Sequence, residues 1–190
     1  VDASGSMGAQ RRMVAVKGAI LSLLLDAYQR RDRVGLISFR GTSAEVILPP
    51  TSSVDLAEQH LQEMPTGGRT PLSRGLYLAL DVIETEKMKD RDVLPLIVLL
   101  SDGRANVAMG TAGEGRPKSL PMDEAKAVAA LVQQQHIPAA VVDTEVDFIR
   151  LGLAQPIAEA MGAHYLKLED LQADNLADAV RLQLPTADAA

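Results

Sequence analysis

The chain has 190 residues, 47% hydrophobic and 23% charged, which suffices for the core of one globular domain. A formal charge of −6 argues against nucleic acid or an anionic membrane as the main partner, and no run reaches the ~20 apolar residues of a membrane-spanning helix. With no cysteine, disulfides, thiolate zinc sites and cysteine nucleophiles are excluded, in keeping with a reducing compartment.

The chain starts on VDASGSMG, a polar turn after one apolar residue, Val1, which reads as the last residue of a strand begun upstream. Apolar residues at helical spacing (Met13, Val16, Ile20, Leu23, Leu24) predict a helix over 8–29. RVGLISF at 33–39 reads as a strand and AEVIL at 44–48 as a second, ended by Pro49-Pro50. The link between them is too short for a crossover, so they form an antiparallel hairpin. A short helix follows over 54–64, capped by Ser53. In PTGGRTPLS, Thr70 suits an N-cap and Pro71 the first position of a helix reaching Met88.

VLPLIVLL at 93–100 is the most apolar run and suits a strand buried on both faces, ending in Ser101-Asp102-Gly103. Residues 104–121 lack periodicity and read as a loop. Helices are expected at 123–136, 148–161 and 175–184, strands at 137–142 and 164–168, and a disordered tail at 185–190. The alternation implies one domain over 1–184. Its fold class is α/β: a doubly wound, mostly parallel Rossmann-like sheet with one antiparallel edge strand and helices on both faces.

Ligands of such sheets lie beyond the carboxyl ends of the strands. Three polar segments fall there: Asp2 to Ser6, Gly67 to Thr70, and Ser101 to Gly103. They offer two carboxylates, Asp2 and Asp102, and three hydroxyls, Ser4, Ser6 and Thr70. An all-oxygen set suits a hard divalent cation, Mg²⁺ with Mn²⁺ or Ca²⁺ as substitutes. Alternate residues leaving a strand point the same way, which gives Asp-x-Ser-x-Ser its meaning. A cation held mainly by neutral hydroxyls keeps a strong field and accepts a further carboxylate from outside. Each loop alone also has a plain structural reading, as a helix cap or a turn.

The order of Asp2-x-Ser4-x-Ser6, Thr70 and Asp102 resembles the metal-ion-dependent adhesion site of von Willebrand factor A (integrin I-like) domains. The resemblance implies that Ser4, Ser6 and Thr70 are direct ligands, while Asp2 and Asp102 act through water or orient it. Residues 16–41, 96–106 and 141–171 further resemble the C-terminal domain of the magnesium chelatase D subunit, with Val142-Asp143-Thr144-Glu145 and Arg150-Leu151-Gly152 the more specific stretches.

That resemblance implies a metal-dependent protein-interaction domain of a complex that inserts Mg²⁺ into protoporphyrin IX in (bacterio)chlorophyll biosynthesis. Its partners are then the AAA+ I subunit and the porphyrin-binding H subunit, reached through an acidic side chain that completes the metal's coordination. The location is then the bacterial cytoplasm or the chloroplast stroma. No phosphate loop occurs, so this portion is not the ATPase, and no complete active site is expected.

Two other readings stay open: a domain of a cobaltochelatase-like or other AAA+-associated protein, and a Mg²⁺-dependent phosphotransferase with Asp2 as nucleophile. The second normally wants an aspartate where Ser4 stands. A serine hydrolase elbow would need glycine at position 4, and His60, His136 and His164 read as surface or packing residues. The basic run 29–33 reads as a solvated helix end, with a partner surface as the alternative, and Arg116 and Lys118 carry the same two readings.

Overall fold

The computed structural model describes residues 1–5, 9–110, 119–145 and 151–170. In chain order these form α1 (Ala9–Arg30), β1 (Val34–Arg40), β2 (Ser43–Thr51), α2 (Val54–Glu63), α3 (Leu72–Lys89), β3 (Ile97–Ser101), α4 (Leu120–Gln134), β4 (Ala139–Asp143), α5 (Ala154–Met161), β5 (His164–Lys167) and a 3-10 turn, Leu168–Asp170. Strands β1 and β2 pair antiparallel, while β3, β4 and β5 pair parallel in that order.

Residues 1–3 join the two sheets. The Asp2 amide donates to the Leu100 carbonyl of β3 at 2.8 Å, and the Ala3 amide to the Phe39 carbonyl of β1 at 3.2 Å. The Phe39 amide donates back to the Val1 carbonyl, giving a parallel bridge between Asp2 and Phe39. The order across the molecule is therefore β2, β1, the N-terminal segment, β3, β4, β5, with β2 the antiparallel edge. This is the expected doubly wound sheet.

Alternation along the strands divides the core in two. Leu36, Leu100, Ala140 and Val142 face Val16, Ala19, Ile20 and Leu24 of α1 and Leu61 of α2. Phe39, Ile97, Leu99, Ala139 and Val141 face Leu72, Leu76 and Leu80 of α3, Val128 and Val132 of α4, and Ile157 of α5. Helices thus cover both faces, and β4 is buried along its whole length.

Several boundaries differ from the sequence expectation for identifiable reasons. Strand β2 does not stop at Leu48 but runs through Pro49-Pro50 to Thr51. It is an edge strand, and Pro49 and Pro50 fall where the register shifts between Val34 and Leu36, the setting in which a missing amide costs no ladder bond. Strand β3 is confined to Ile97–Ser101, so residues 93–96 lie outside it. Helix α4 starts at Leu120 rather than 123, because Pro121 is tolerated in a first turn.

Helix α5 starts only at Ala154, since the Leu151 and Gly152 amides donate to the Glu145 carboxylate instead of entering a helix. The expected helical positions 148–150, the helix at 175–184 and the tail at 185–190 lie outside the described residues, as do 111–118 of the loop with Arg116 and Lys118.

The basic run after α1 is tied into the fold. Arg30 pairs with Asp26 at 3.4 Å, and Arg33 donates to the Pro50 carbonyl and pairs with Glu86 of α3 at 2.7 Å. Lys89 and Arg33 together hold the Glu86 carboxyl below the usual range. His136 and His164 sit at the amino-terminal side of β4 and β5, away from the end where the polar loops meet, and His60 is on α2.

The Ser101-Asp102-Gly103 turn abuts the start of α5. A Cβ on Gly103 (φ +75°) would lie 2.1 Å from the Ala154 nitrogen and 2.2 Å from the Leu153 carbonyl carbon. Both clashes are with backbone, so Gly103→Ala is expected to cost ~3 kcal/mol from crowding and left-handed strain together. Gly152→Ala, at a similar φ of +62° but with nothing within 4 Å, should cost only ~1 kcal/mol. Urea unfolding of the two variants checks the difference; equal destabilisation would show that packing of the turn against α5 contributes nothing.

Candidate metal centre

The three polar segments meet at the carboxyl end of the sheet. Residues 1–3 place Asp2 between β1 and β3, and the backbone then stitches the neighbouring loops together. The Gly67 amide donates to the Ala3 carbonyl at 2.7 Å, and Gly5 forms an antiparallel bridge with Gly68. These contacts bring Ser4 beside Thr70, whose side-chain oxygens lie 2.7 Å apart. Ser4 Oγ also donates to Asp2 Oδ1 at 2.5 Å, and the Ser4 amide to the same oxygen at 2.9 Å. With the Ser4 proton committed to Asp2, Thr70 Oγ1 is the donor to Ser4.

The second Asp2 oxygen is held from the end of β3. Ser101 Oγ donates to Asp2 Oδ2 at 2.8 Å and accepts the Gly103 amide at 3.1 Å, with Ser101 wholly buried. Asp102 Oδ1 accepts the Arg104 amide at 3.1 Å, and Oδ2 lies 3.6 Å from Arg104 Nε. The geometry thus brings Asp2, Ser4 and Thr70 into direct contact and sets Asp102 next to them on the following turn. Ser6 lies outside the described residues.

Thr70 does not cap α3, as its sequence position suggests. Pro71 occupies the cap position, without a side-chain cap bond, and Thr70 is turned into the cluster with 3% exposure. Its backbone is clasped by Asn106: the Thr70 amide donates to Asn106 Oδ1 at 2.7 Å, and the Asn106 amide donates to the Thr70 carbonyl at 3.1 Å. Arg69 donates to the Asn106 carbonyl at 2.8 Å.

Asn106 and Ser101 are therefore supporting residues that sequence reasoning does not reveal. Asn106 sits in an aperiodic loop, and only an amide four residues past an Asp in SDGRAN hints at it. Ser101 reads as the end of a strand rather than as a donor.

The electrostatics of the cluster are unbalanced. Burial pushes the Asp2 carboxyl from 3.8 up to about 6, against the opposing effect of hydrogen bonds from Ser4 and Ser101, and the Asp102 charge adds to the rise. Among the described residues no three His, Cys, Asp or Glu side chains gather as they would for zinc. What gathers is hard oxygen: two carboxylates and neutral hydroxyls. A half-buried carboxylate that resists ionisation beside two lone-pair donors is a set that a hard divalent cation fits.

Residues 1–104 match the von Willebrand factor type A domain family. The chain is 48% identical to an uncharacterized protein of Mycobacterium tuberculosis, over 95% of this chain and 27% of that protein. It is 40% identical to an uncharacterized protein of Methanocaldococcus jannaschii, over 90% of this chain and 95% of that one. It is 38% identical to the magnesium-chelatase 67 kDa subunit of Chlorobaculum parvum, over 94% of this chain and 29% of that subunit. The chain thus spans under a third of the mycobacterial and chelatase relatives and nearly all of the archaeal one.

Among solved structures, the PilB minor pilin of Streptococcus sanguinis superposes with a TM-score of 0.71 at 14% identity, covering 95% of this chain and 59% of that one. BatB of Bacteroides thetaiotaomicron does so with 0.62 at 22%, covering 95% and 91%. These two establish the fold alone. The chain belongs to the von Willebrand factor type A domain family.

Proposed function

We propose that the chain is a metal-dependent protein-interaction domain of a magnesium-chelatase D-type subunit. The observation that carries the metal part is the contact of Asp2, Ser4 and Thr70, hydroxyls and a reluctant carboxylate drawn from two loops onto one point. Ser4, Ser6 and Thr70 would hold Mg²⁺ directly, and Asp2 and Asp102 would orient its water. When bound, the ion supplies a positive centre that a partner's carboxylate can complete. The chelatase part rests on 38% identity over nearly the whole chain to a magnesium-chelatase subunit.

In this role the domain couples the AAA+ I subunit and the porphyrin-binding H subunit of the ATP-dependent complex that inserts Mg²⁺ into protoporphyrin IX. The ion held here is a docking ion, distinct from the one inserted. The chain's own residues do the positioning: Ser101 fixes one Asp2 oxygen, and Asn106 fixes the Thr70 backbone. A second reading keeps the metal site but gives it other partners, as the domain of a cobaltochelatase-like or other AAA+-associated protein. It is compatible with the 48% identity to an uncharacterized mycobacterial protein. A phosphotransferase with Asp2 as nucleophile fits less well, since both Asp2 oxygens are engaged by Ser4 and Ser101.

The test of the proposal is a Ser4→Ala, Ser6→Ala double variant. It should lose calorimetric Mg²⁺ binding and Mg²⁺-dependent retention of the I and H subunits while keeping the wild-type circular dichroism spectrum. Undiminished retention in the variant, or in EDTA, would refute metal-mediated docking. Retention of neither chelatase subunit, with Mg²⁺ binding intact, would transfer support to the second reading.

The Asp2 carboxyl gives an independent prediction. Its pKa is raised on folding, so between 3.8 and about 6 the folded chain keeps a proton that the unfolded chain has released. Stability from this group is complete below that window and lost as pH rises through it, by ~3 kcal/mol for a shift of about two units. In EDTA, the fall in unfolding free energy from pH 4 to pH 7 should be smaller by about that amount in Asp2→Asn. Saturating Mg²⁺ should restore the loss in the wild type, whereas the variant, which has no such loss, should gain no stability from Mg²⁺. Parallel pH profiles for the two proteins would contradict the placement of Asp2 in a buried, cation-seeking cluster.

A further inference from the structure

Beside the cluster, at the end of the β1–β2 hairpin, lies a polar cavity of about 280 Å³ lined by Ser38, Arg40, Gly41, Thr42, Ser43 and Glu45. The hairpin register pairs Ser38 with Glu45 and Arg40 with Ser43, which puts these four side chains on one face. Among the described residues, two of the groups find no hydrogen-bond partner: Ser38 Oγ, on a residue only 1% exposed, and Arg40 Nε. Leaving a buried donor unsatisfied costs on the order of 1–3 kcal/mol, so two together at one cavity call for an explanation. Both can donate, and Arg40 carries a full positive charge.

Glycine contacts link the cavity to the loops of the candidate metal centre. Gly41 on its rim packs against Gly68, where an added Cβ would come within 3.3 Å of the Gly41 nitrogen. Gly68 in turn bridges Gly5, the residue after Ser4. Arg69 and Arg104 flank the same edge, so a chain of net charge −6 presents Arg40, Arg69 and Arg104 around this one end of the sheet.

We propose that this cavity is a second docking subsite, which takes a carboxylate from the same acidic partner segment that the metal is proposed to engage. Arg40 Nε and Ser38 Oγ donate to that carboxylate, satisfying two groups otherwise left without partners. Glu45, on the same face, limits the subsite to a single negative charge and disfavours a doubly charged phosphate. The partner therefore carries two carboxylates on one short segment: one for the ion and one for Arg40. The two-point arrangement rests on the metal-docking reading, whereas the subsite itself stands on the cavity and its unpartnered donors.

Fluorescein-labelled hexaglutamate, titrated by fluorescence anisotropy in Mg²⁺ and again in EDTA, tests it. In Mg²⁺, Arg40→Gln should weaken binding about tenfold and Ser38→Ala about threefold, the sizes expected for a charge-assisted and a neutral hydrogen bond. Calorimetric Mg²⁺ affinity should be unchanged in both. Ser38→Ala removes an unsatisfied hydroxyl, so its urea midpoint should not fall, and weaker binding there cannot be ascribed to unfolding. Failure of the wild type to bind hexaglutamate, or wild-type affinity in both variants, would overturn the subsite. If EDTA weakens binding while both variants behave as wild type, the subsite fails and metal docking survives. If EDTA has no effect but Arg40→Gln still weakens binding, the subsite stands and the metal reading falls.

Discussion

Insertion of residues 1–3 between β1 and β3 is the constraint on which the rest of this structure depends. Without the bonds from Asp2 to Leu100 and between Ala3, Val1 and Phe39, the hairpin and the parallel sheet would be separate pieces. The same segment carries Asp2 to the carboxyl end of the sheet, where Ser101 from β3 can reach it. Sheet closure and site assembly are therefore one event. A change that loosens the segment from either neighbour would scatter the cluster before it exposed much core, although Val1 and Ala3 are themselves part of the apolar layer under α1.

The site is held together by groups that compete for one carboxylate. Ser4 and Ser101 stabilise the ionised form of Asp2, while burial and Asp102 oppose it, and burial prevails. A cluster of this kind is poised: neutral hydroxyls hold it in shape, yet it remains short of positive charge. A cation would remove the conflict without neutralising fully, because most of its ligands would be uncharged. The surplus positive field would then point outward, past Gly5 and Gly68, toward Arg40, Arg69 and Arg104. Under the proposed role, an acidic partner would match both the ion and this rim, even though the whole chain is acidic.

Much of this was legible in the sequence, because the period of apolar residues separates strands from helices and the polar loops fall at strand ends. Asp2, Ser4, Ser6, Thr70 and Asp102 could be named as candidates from the polar loops at strand ends together with the family resemblance. The misreadings share a cause, in that local signals were overridden by what lies across space. Thr70-Pro71 looks like a helix cap, but Asn106, 36 residues away, claims the Thr70 amide and turns its hydroxyl to Ser4. Pro49-Pro50 looks like a strand end, yet an irregular edge has no need of those amides. Glu145 was part of a family-like stretch without a role; its carboxylate receives the amides that would have begun α5 earlier. Partners of this kind cannot be found by periodicity, since nothing local records them.

The relatives bear on where the proposed docking would reside. The same domain accounts for 95% of the archaeal relative and under a third of the chelatase and mycobacterial ones. A docking role common to both settings would not depend on a fixed interface with the rest of a long chain. Under the proposed role, the recognition elements would lie on the domain itself. The carboxyl end of the sheet is the candidate, because among the described residues α1 and α2 cover one face and α3, α4 and α5 the other. Exposed Arg69 and the half-buried Arg40 and Arg104 lie along that edge. A cluster assembled from three loops around one carboxylate is sensitive to each of them: moving the Gly67–Thr70 loop by an ångström would separate Thr70 from Ser4, now 2.7 Å apart, and moving the Ser101 turn would release Asp2 Oδ2, held at 2.8 Å.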